Sequence, residues 1–336
     1  MTPPAIAFAM QPERTEHVLT PELFARIDRL ARILDRQPMT VFGDGRGSRL
    51  LAEAEILVTG WGAPSFDANA LRSAPRLRLI VHAAGTVKDL IDLSVFDAGI
   101  TVSHAAEANA VPVAEFTLAA IIFSGKHVFR FRDLYAADRG RQRIQLLQGQ
   151  AIGNYRRTIG IVGASRIGRR VIDLLRPFDY RVLLYDPLVG EESASAIGVE
   201  KADLETLMAH SDIVSLHAPS LPETQHMIDG RRLSLMKNGA TLINTARGAL
   251  VDEAALIDRL KTGAINAVID VTDPEVPEGT SPFYDLPNVF LTPHIAGAIG
   301  LERTRLGEMA VDEIERFLEG RQLLFEVRKH DLERIA

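Results

Sequence analysis

The chain has 336 residues, no cysteine, and 38 Lys and Arg against 44 Asp and Glu, for a net charge of −6. The length favours two domains with a cleft between them. The lack of thiols excludes disulfides, thiolate nucleophiles and Cys-ligated zinc or iron–sulfur centres, no residue is assigned to a metal, and the acidic balance disfavours nucleic acid and suits a small-molecule partner. Any redox chemistry must come from a bound cofactor.

The N-terminus MTPPAIAFAM lacks a basic region and a long apolar stretch. The most apolar window, Phe116–Phe123, reads as too short to cross a bilayer. A soluble cytoplasmic protein with no membrane partner is therefore expected. The first probable strands are Ile6–Ala9, Ile56–Thr59, Leu79–His82 and Ile100–Ser103, with helical spacing over Pro21–Leu34 between them. They make one small doubly wound unit. A long helical pattern near Val113–Phe123 follows. The Arg-studded stretch from Arg130 to Arg143 also carries Asp133 and Asp138 and reads as solvated or subunit-facing, not as a nucleic-acid patch.

From Thr158 a second series of strands begins: Thr158–Val162, Val182–Tyr185, Ile213–His217, Thr241–Asn244, Ala267–Asp270 and Val289–Thr292. Strands alternating with helices predict an α/β fold with parallel sheets, and six such strands make a dinucleotide-type sheet. One more helix, Leu301–Leu318, ended by Gly320, belongs back on the first domain. The second domain is then an insertion, with residues 108–297 forming the dinucleotide-binding domain and 1–107 with 298–336 the substrate domain.

Where Thr158–Val162 turns into a helix over Arg169–Leu175, Gly163 and Gly168 allow helix N–H groups to face a pyrophosphate. Asp186, eighteen residues beyond Gly168, closes the next strand. A carboxylate at that spacing holds the adenosine ribose hydroxyls and repels a 2′-phosphate, so NAD is favoured over NADP. Ser165 replaces the middle glycine of the pattern, adding a Cβ where backbone and pyrophosphate approach closely, although its hydroxyl can bond phosphate.

Reducing a 2-oxo acid needs a cation for the carboxylate, a proton donor for the carbonyl oxygen, and a group that keeps the donor charged. Successive strand ends offer all three: Arg247 after Thr241–Asn244, Glu275 after Ala267–Asp270, and His294 after Val289–Thr292. A guanidinium grips a carboxylate with a planar fork, and Glu275 beside His294 would favour the imidazolium. Each residue has an ordinary alternative: a capping histidine, a surface ion pair, a solvated acid. Their joint placement on one sheet edge is the argument.

These residues resemble the D-isomer-specific 2-hydroxyacid dehydrogenases over nearly the whole chain. The likeness rests on the glycine turn, Ser215-Leu-His-Ala-Pro219 with Thr224, Met236-Lys-Asn-Gly-Ala240, Ile243-Asn-Thr-Ala-Arg-Gly248 with Val251-Asp252, and Leu291-Thr-Pro-His-Ile-Ala-Gly297. It implies a Rossmann NAD-binding domain inserted in a flavodoxin-like substrate domain, and a 2-hydroxy or 2-oxo acid as substrate. It implies that Arg247 binds the carboxylate, Glu275 supports the histidine and His294 is the acid/base. Arg166 and Ile167 would meet the pyrophosphate through backbone. His217, Ala218, Pro219, Thr224, Thr245, Ala246, Asp270, Ala296 and Gly297 would line the cofactor, Asp270 through the nicotinamide carboxamide. In the first domain, Ala84, Gly85 and Thr86 look like the substrate loop, and Asn109 with Val113-Ala-Glu115 matches the first crossing between domains. The loop His82-Ala-Ala-Gly-Thr-Val-Lys-Asp89 and Thr272, where the family often has an aromatic residue, depart from the pattern and leave the substrate's 3-substituent open. The resemblance also implies a homodimer, with residues 129–153 as its arm. A non-catalytic NAD(H)-sensing protein of the corepressor type is the alternative, and a formate or phosphite oxidiser a third reading.

Overall fold

The apolar runs become strands because parallel strands covered on both faces have no polar side to show. In the computed structural model, which describes residues 3–88 and 90–332, Asp89 of the candidate substrate loop lies outside the described residues. The strands in chain order are β1 (Ala5–Ala9), β2 (Arg32–Ile33), β3 (Ile56–Thr59), β4 (Leu79–His82) and β5 (Thr101–His104). Then come β6 (Thr158–Val162), β7 (Arg181–Tyr185), β8 (Glu200–Lys201), β9 (Ile213–Leu216), β10 (Thr241–Asn244), β11 (Asn266–Ile269), β12 (Val289–Leu291) and β13 (Glu326–Val327). Every residue of β1, β3, β4, β9 and β10 is buried.

The chain divides into two compact units, Met1–Asn109 with Ala298–Ala336, and Ala110–Gly297. The sheet of the first unit runs β13-β5-β4-β3-β1-β2, parallel except for β13, which pairs antiparallel with β5. Its parallel core has the order 2-1-3-4-5 of flavodoxin-like folds, with the switch point between β1 and β3. The wholly parallel sheet expected from the sequence therefore gains an antiparallel edge, where Glu326 and Val327 meet Ser103 and Val102.

The predicted helix Pro21–Leu34 is shorter than its periodicity implied. Thr20 caps it and Pro21 starts it, but it ends at Leu30, because Ala31 turns extended and Arg32 and Ile33 pair with Ala5 and Ile6 of β1. The last helix, Thr304–Leu318, is preceded by the 3₁₀ turn Gly300–Arg303 and packs Ala310, Val311 and Ile314 into one core with Leu23, Ile27, Leu79 and Val81. Within that helix Glu313, only 1% exposed, accepts from Ser103 Oγ at 2.9 Å and from the Leu324 and Phe325 N–H groups at 3.0 Å. A buried carboxylate with three donors is satisfied, and it ties the final strand segment to the helix and to β5.

The second unit has seven strands where six were expected, in the order β12-β11-β10-β9-β6-β7-β8. The missed strand is β8, two exposed residues with no apolar signature. Counted from β6, this is the 3-2-1-4-5-6 dinucleotide order with one further strand. The expectation of too short an apolar window also needs correction. The helix Ala106–Gly125 is long and apolar enough to cross a membrane by length and composition, and 56% of that window is buried inside the protein. Its Ala114, Ala120 and Ile121 belong to the core of the second unit, and a buried core helix meets the same criterion.

Candidate active site

At the end of β6 the chain turns at Gly163, φ +99°, into the helix Arg166–Leu175. A Cβ on Gly163 would lie 2.7 Å from the Ala218 nitrogen, and one on Gly168 would lie 2.1 Å from the Gly163 carbonyl oxygen. Both positions therefore need glycine for the turn to close against the segment after β9, at the switch point of the sheet. The helix starts earlier than expected because Ser165 is its cap, with Oγ accepting from the Gly168 N–H at 3.3 Å. Its Cβ is accommodated as part of that cap. Asp186 closes the cradle, accepting from Ala164 N–H at 2.7 Å and Leu188 N–H at 2.8 Å. Arg166 is exposed and Ile167 half-buried in the first helical turn.

His217 meets the turn through its main chain at Gly163 and its Cβ at Gly168. Its imidazole is buried, with Nε2 2.9 Å from Ser215 Oγ, and burial pushes its pKa down to about 3. Ala218 is buried beside it, and Thr224 donates to the Pro219 carbonyl at 2.7 Å, latching the loop that follows. A glycine cradle, a helix N-terminus and a carboxylate at one sheet edge fit the pyrophosphate and the adenosine ribose of a dinucleotide.

Three further loops leave the carboxyl edge of the same sheet. After β10, Asn244 accepts from Ala246 N–H at 3.1 Å and donates to the Arg247 carbonyl at 2.9 Å, fixing the strand exit. The Arg247 guanidinium donates to the Ala246 carbonyl at 2.7 Å. Thr245 is buried, its hydroxyl 3.1 Å from that of Thr117, and Ala246 is buried beside it. After β11, Glu253 accepts from Asp273 N–H at 2.7 Å and Thr272 Oγ1 donates to the Glu275 carbonyl at 3.1 Å. Burial, the largest influence on Glu253, raises its carboxyl pKa. The first and second loops touch at Gly248, where a Cβ would lie 2.1 Å from the Thr272 carbonyl carbon.

The third loop brings His294 to Glu275: Nδ1 of the imidazole bonds Glu275 Oε1. His294 adopts φ +54°, a left-handed conformation that costs a non-glycine residue on the order of 1–3 kcal/mol. Asp270, 2% exposed, holds it there. Its Oδ1 accepts from Thr292 Oγ1 at 2.6 Å and Ile295 N–H at 2.8 Å, its Oδ2 from Ala296 N–H at 3.0 Å, and its main-chain carbonyl from His294 N–H at 2.9 Å. Ala296 is buried and Gly297 half-buried beyond the histidine. The sequence paired His294 with Glu275 but missed Asn244 and Glu253, whose only signal was a polar side chain at a strand exit and at a helix start.

In the first unit Ala84 is buried and Gly85 and Thr86 are half-buried at the exit of β4, with Thr86 Oγ1 accepting from Lys88 N–H at 3.2 Å. Asn109 Oδ1 accepts from Ala298 N–H at 3.0 Å, joining the two segments of the unit.

The sequence profile of the family "D-isomer specific 2-hydroxyacid dehydrogenase, NAD binding domain" matches residues 118–296. A glyoxylate reductase of Korarchaeum cryptofilum is 35% identical over 76% of this chain and 77% of its own length. The chain belongs to the D-isomer specific 2-hydroxyacid dehydrogenase family. A D-3-phosphoglycerate dehydrogenase of Methanocaldococcus jannaschii is 31% identical over 80% of this chain and 51% of its own length, so the chain spans about half the length of the phosphoglycerate dehydrogenases it matches. Among solved structures, a D-lactate dehydrogenase of Aquifex aeolicus complexed with NAD and lactic acid is 28% identical, covering 94% of this chain and 96% of its own, with a TM-score of 0.67.

In this member of the family two of the buried histidines, His82 and His217, are held neutral by burial. His82, bonded through Nδ1 to Thr59 Oγ1 at 2.9 Å, is pushed down to about 3 by burial, with His104 across the strand pair adding to it. With His217 also near 3 when folded, the unfolded chain takes up protons first. Stability is intact above the free-histidine value and falls as pH drops below it, by about 2 kcal/mol per histidine between pH 6.5 and pH 5. Thermal melts should show the midpoint dropping over that range and the drop roughly halved in His217→Asn; a midpoint independent of pH from 7 to 5 would contradict it.

Proposed function

We propose that the chain is an NAD-dependent dehydrogenase acting at C2 of a small 2-hydroxy or 2-oxo acid, with D specificity. The observation that carries this is the His294–Glu275 bond on the carboxyl edge of a dinucleotide sheet. An exposed ion pair stabilises a fold by only about 0–1 kcal/mol, so this one matters chiefly for the orientation of the imidazole.

Bound NAD would accept or supply a hydride. The turn at Gly163, Ser165, Arg166, Ile167 and Gly168 would receive the pyrophosphate, and Asp186 the ribose hydroxyls. Its carboxylate would repel a 2′-phosphate, which favours NAD over NADP. Arg247 would hold the substrate carboxylate. Glu275, bonded to Nδ1, fixes the ring, leaving Nε2 to give a proton to the carbonyl oxygen in reduction and to take it back in oxidation. Asp270 Oδ2, with a single donor, has room for a further one from the carboxamide.

A second copy of the chain is the proposed partner. Tyr135 and Leu146, 57% and 80% exposed on the helices Val128–Asp138 and Gln142–Gln148, support this, and sizing the protein by light scattering tests it.

Stopped-flow mixing with NADH and glyoxylate, hydroxypyruvate, pyruvate or bulkier 2-oxo acids tests the activity; no oxidation with any of them would favour an NAD(H) sensor. Arg247→Ala should raise KM about 10²-fold, the loss expected when a charge-assisted fork is removed, with a smaller effect on kcat. An unchanged KM would remove Arg247 from carboxylate binding.

A further inference from the structure

Arg303 lies in the 3₁₀ turn before the last helix of the first unit. It is half-buried, with its guanidinium 5.7 Å from the centroid of the Trp61 ring. Of the five N–H donors a guanidinium carries, one makes a long 3.4 Å bond to the Ala298 carbonyl. No carboxylate among the described residues pairs with it, and the adjacent Glu302 turns its carboxylate to the Ile299 N–H at 3.0 Å instead. A half-buried cation whose remaining donors are open at the surface can be completed by an anionic ligand.

The position of this pair in the sheet says which ligand. Trp61 follows β3, and its carbonyl accepts from Gln11 N–H at 3.0 Å, just after β1. It thus stands at the switch point between β1 and β3, where ligands of open parallel sheets bind. The pair is continuous with the proposed substrate loop. Ala298 accepts from Arg303 through its carbonyl and donates to Asn109 through its N–H, the Asn109 amide nitrogen is the nearest atom to the missing Cβ of Gly85, and Trp61 packs on Ala105, Ala108 and Ala298.

We infer that Trp61 and Arg303 form an anion subsite of the first unit, and that it selects as substrate 2-oxo acids carrying a second anionic group, a carboxylate or a phosphate, over acids of equal length with an uncharged side chain. The inference rests on the proposed dehydrogenase reading for the word substrate, but not for the anion. Arg303 supplies the charge and the free donors. Trp61 supplies a flat wall that orients the guanidinium and covers the methylene stem of the acid.

Trp61 is the only tryptophan in the chain, so its emission reports on the subsite without any turnover. The full chain is titrated with 2-oxoglutarate and, separately, with 2-oxopentanoate. The dianion should perturb the emission with an affinity about tenfold higher than the monoanion, the scale of one charge-assisted contact. Arg303→Gln should bring the two within about twofold and Arg303→Lys should keep most of the preference, and kcat/KM for NADH oxidation should follow the same ratios. A preference unchanged by Arg303→Gln, or a dianion that leaves Trp61 emission untouched, overturns the inference. Titration of Trp61 with no NADH oxidation by any acid would instead overturn the dehydrogenase reading and leave the anion subsite standing.

Discussion

Replacing His294 with alanine lowers turnover by about 10²–10⁴, the share that a positioned acid/base contributes, while the affinity for NADH changes little. The reason is local. The imidazole is tied to Glu275 and lies on a loop whose shape is set by Asp270, so removing the ring takes away the proton donor and leaves the loop bonds of Asp270 to Thr292, Ile295 and Ala296 in place. Steady-state kinetics and an NADH titration on the variant separate the two effects. Turnover near that of the unaltered protein would remove His294 from the chemistry, even with the fold and family unchanged.

The second large effect is expected at a residue with no side chain. In Gly248→Ala the added methyl would overlap the Thr272 carbonyl carbon and lie 2.4 Å from the Asp273 nitrogen. Neither can retreat freely, since Asp273 N–H is held by Glu253 and the Thr272 hydroxyl by the Glu275 carbonyl. The turn carrying Glu275 or the exit carrying Arg247 must move. A displacement of about 1 Å in such a constellation costs on the order of 10²-fold in kcat/KM, and overpacking of this kind costs about 1–3 kcal/mol of stability. Kinetics and thermal melting of the variant check both. If kcat/KM stayed within about threefold of the parent, the contact between the two loops would not set the geometry of the site.

The parts legible in the sequence were those whose signal is local. Thr158–Val162 and Thr241–Asn244 are continuous apolar runs, and they are the strands β6 and β10 with the same bounds. The two-residue edge strands β2, β8 and β13 were invisible, because what makes them strands is a partner far away in the chain. The same division holds at the site. The pairing of Glu275 with His294 was readable from their places after successive strands, and the turn at Gly163 and Gly168 from the strand–turn–helix pattern. Asn244 and Glu253 were not, since a carboxylate holding the N–H of residue 273 from position 253 leaves no spacing rule to find. Asp270 was read toward the nicotinamide, whereas in the structure three of its hydrogen bonds organise the histidine loop. His294 in a left-handed backbone and Arg303 over Trp61 are likewise products of tertiary packing.

The discontinuity of the first unit bears on how the chain emerges from the ribosome. Its helix Thr304–Leu318 and its edge strand are anchored to β5 through Glu313, so synthesis must reach those residues before that sheet is sealed. The second unit, by contrast, is one uninterrupted stretch. Vectorial folding therefore completes the nucleotide half while the earlier-born half is still waiting for its closing segment.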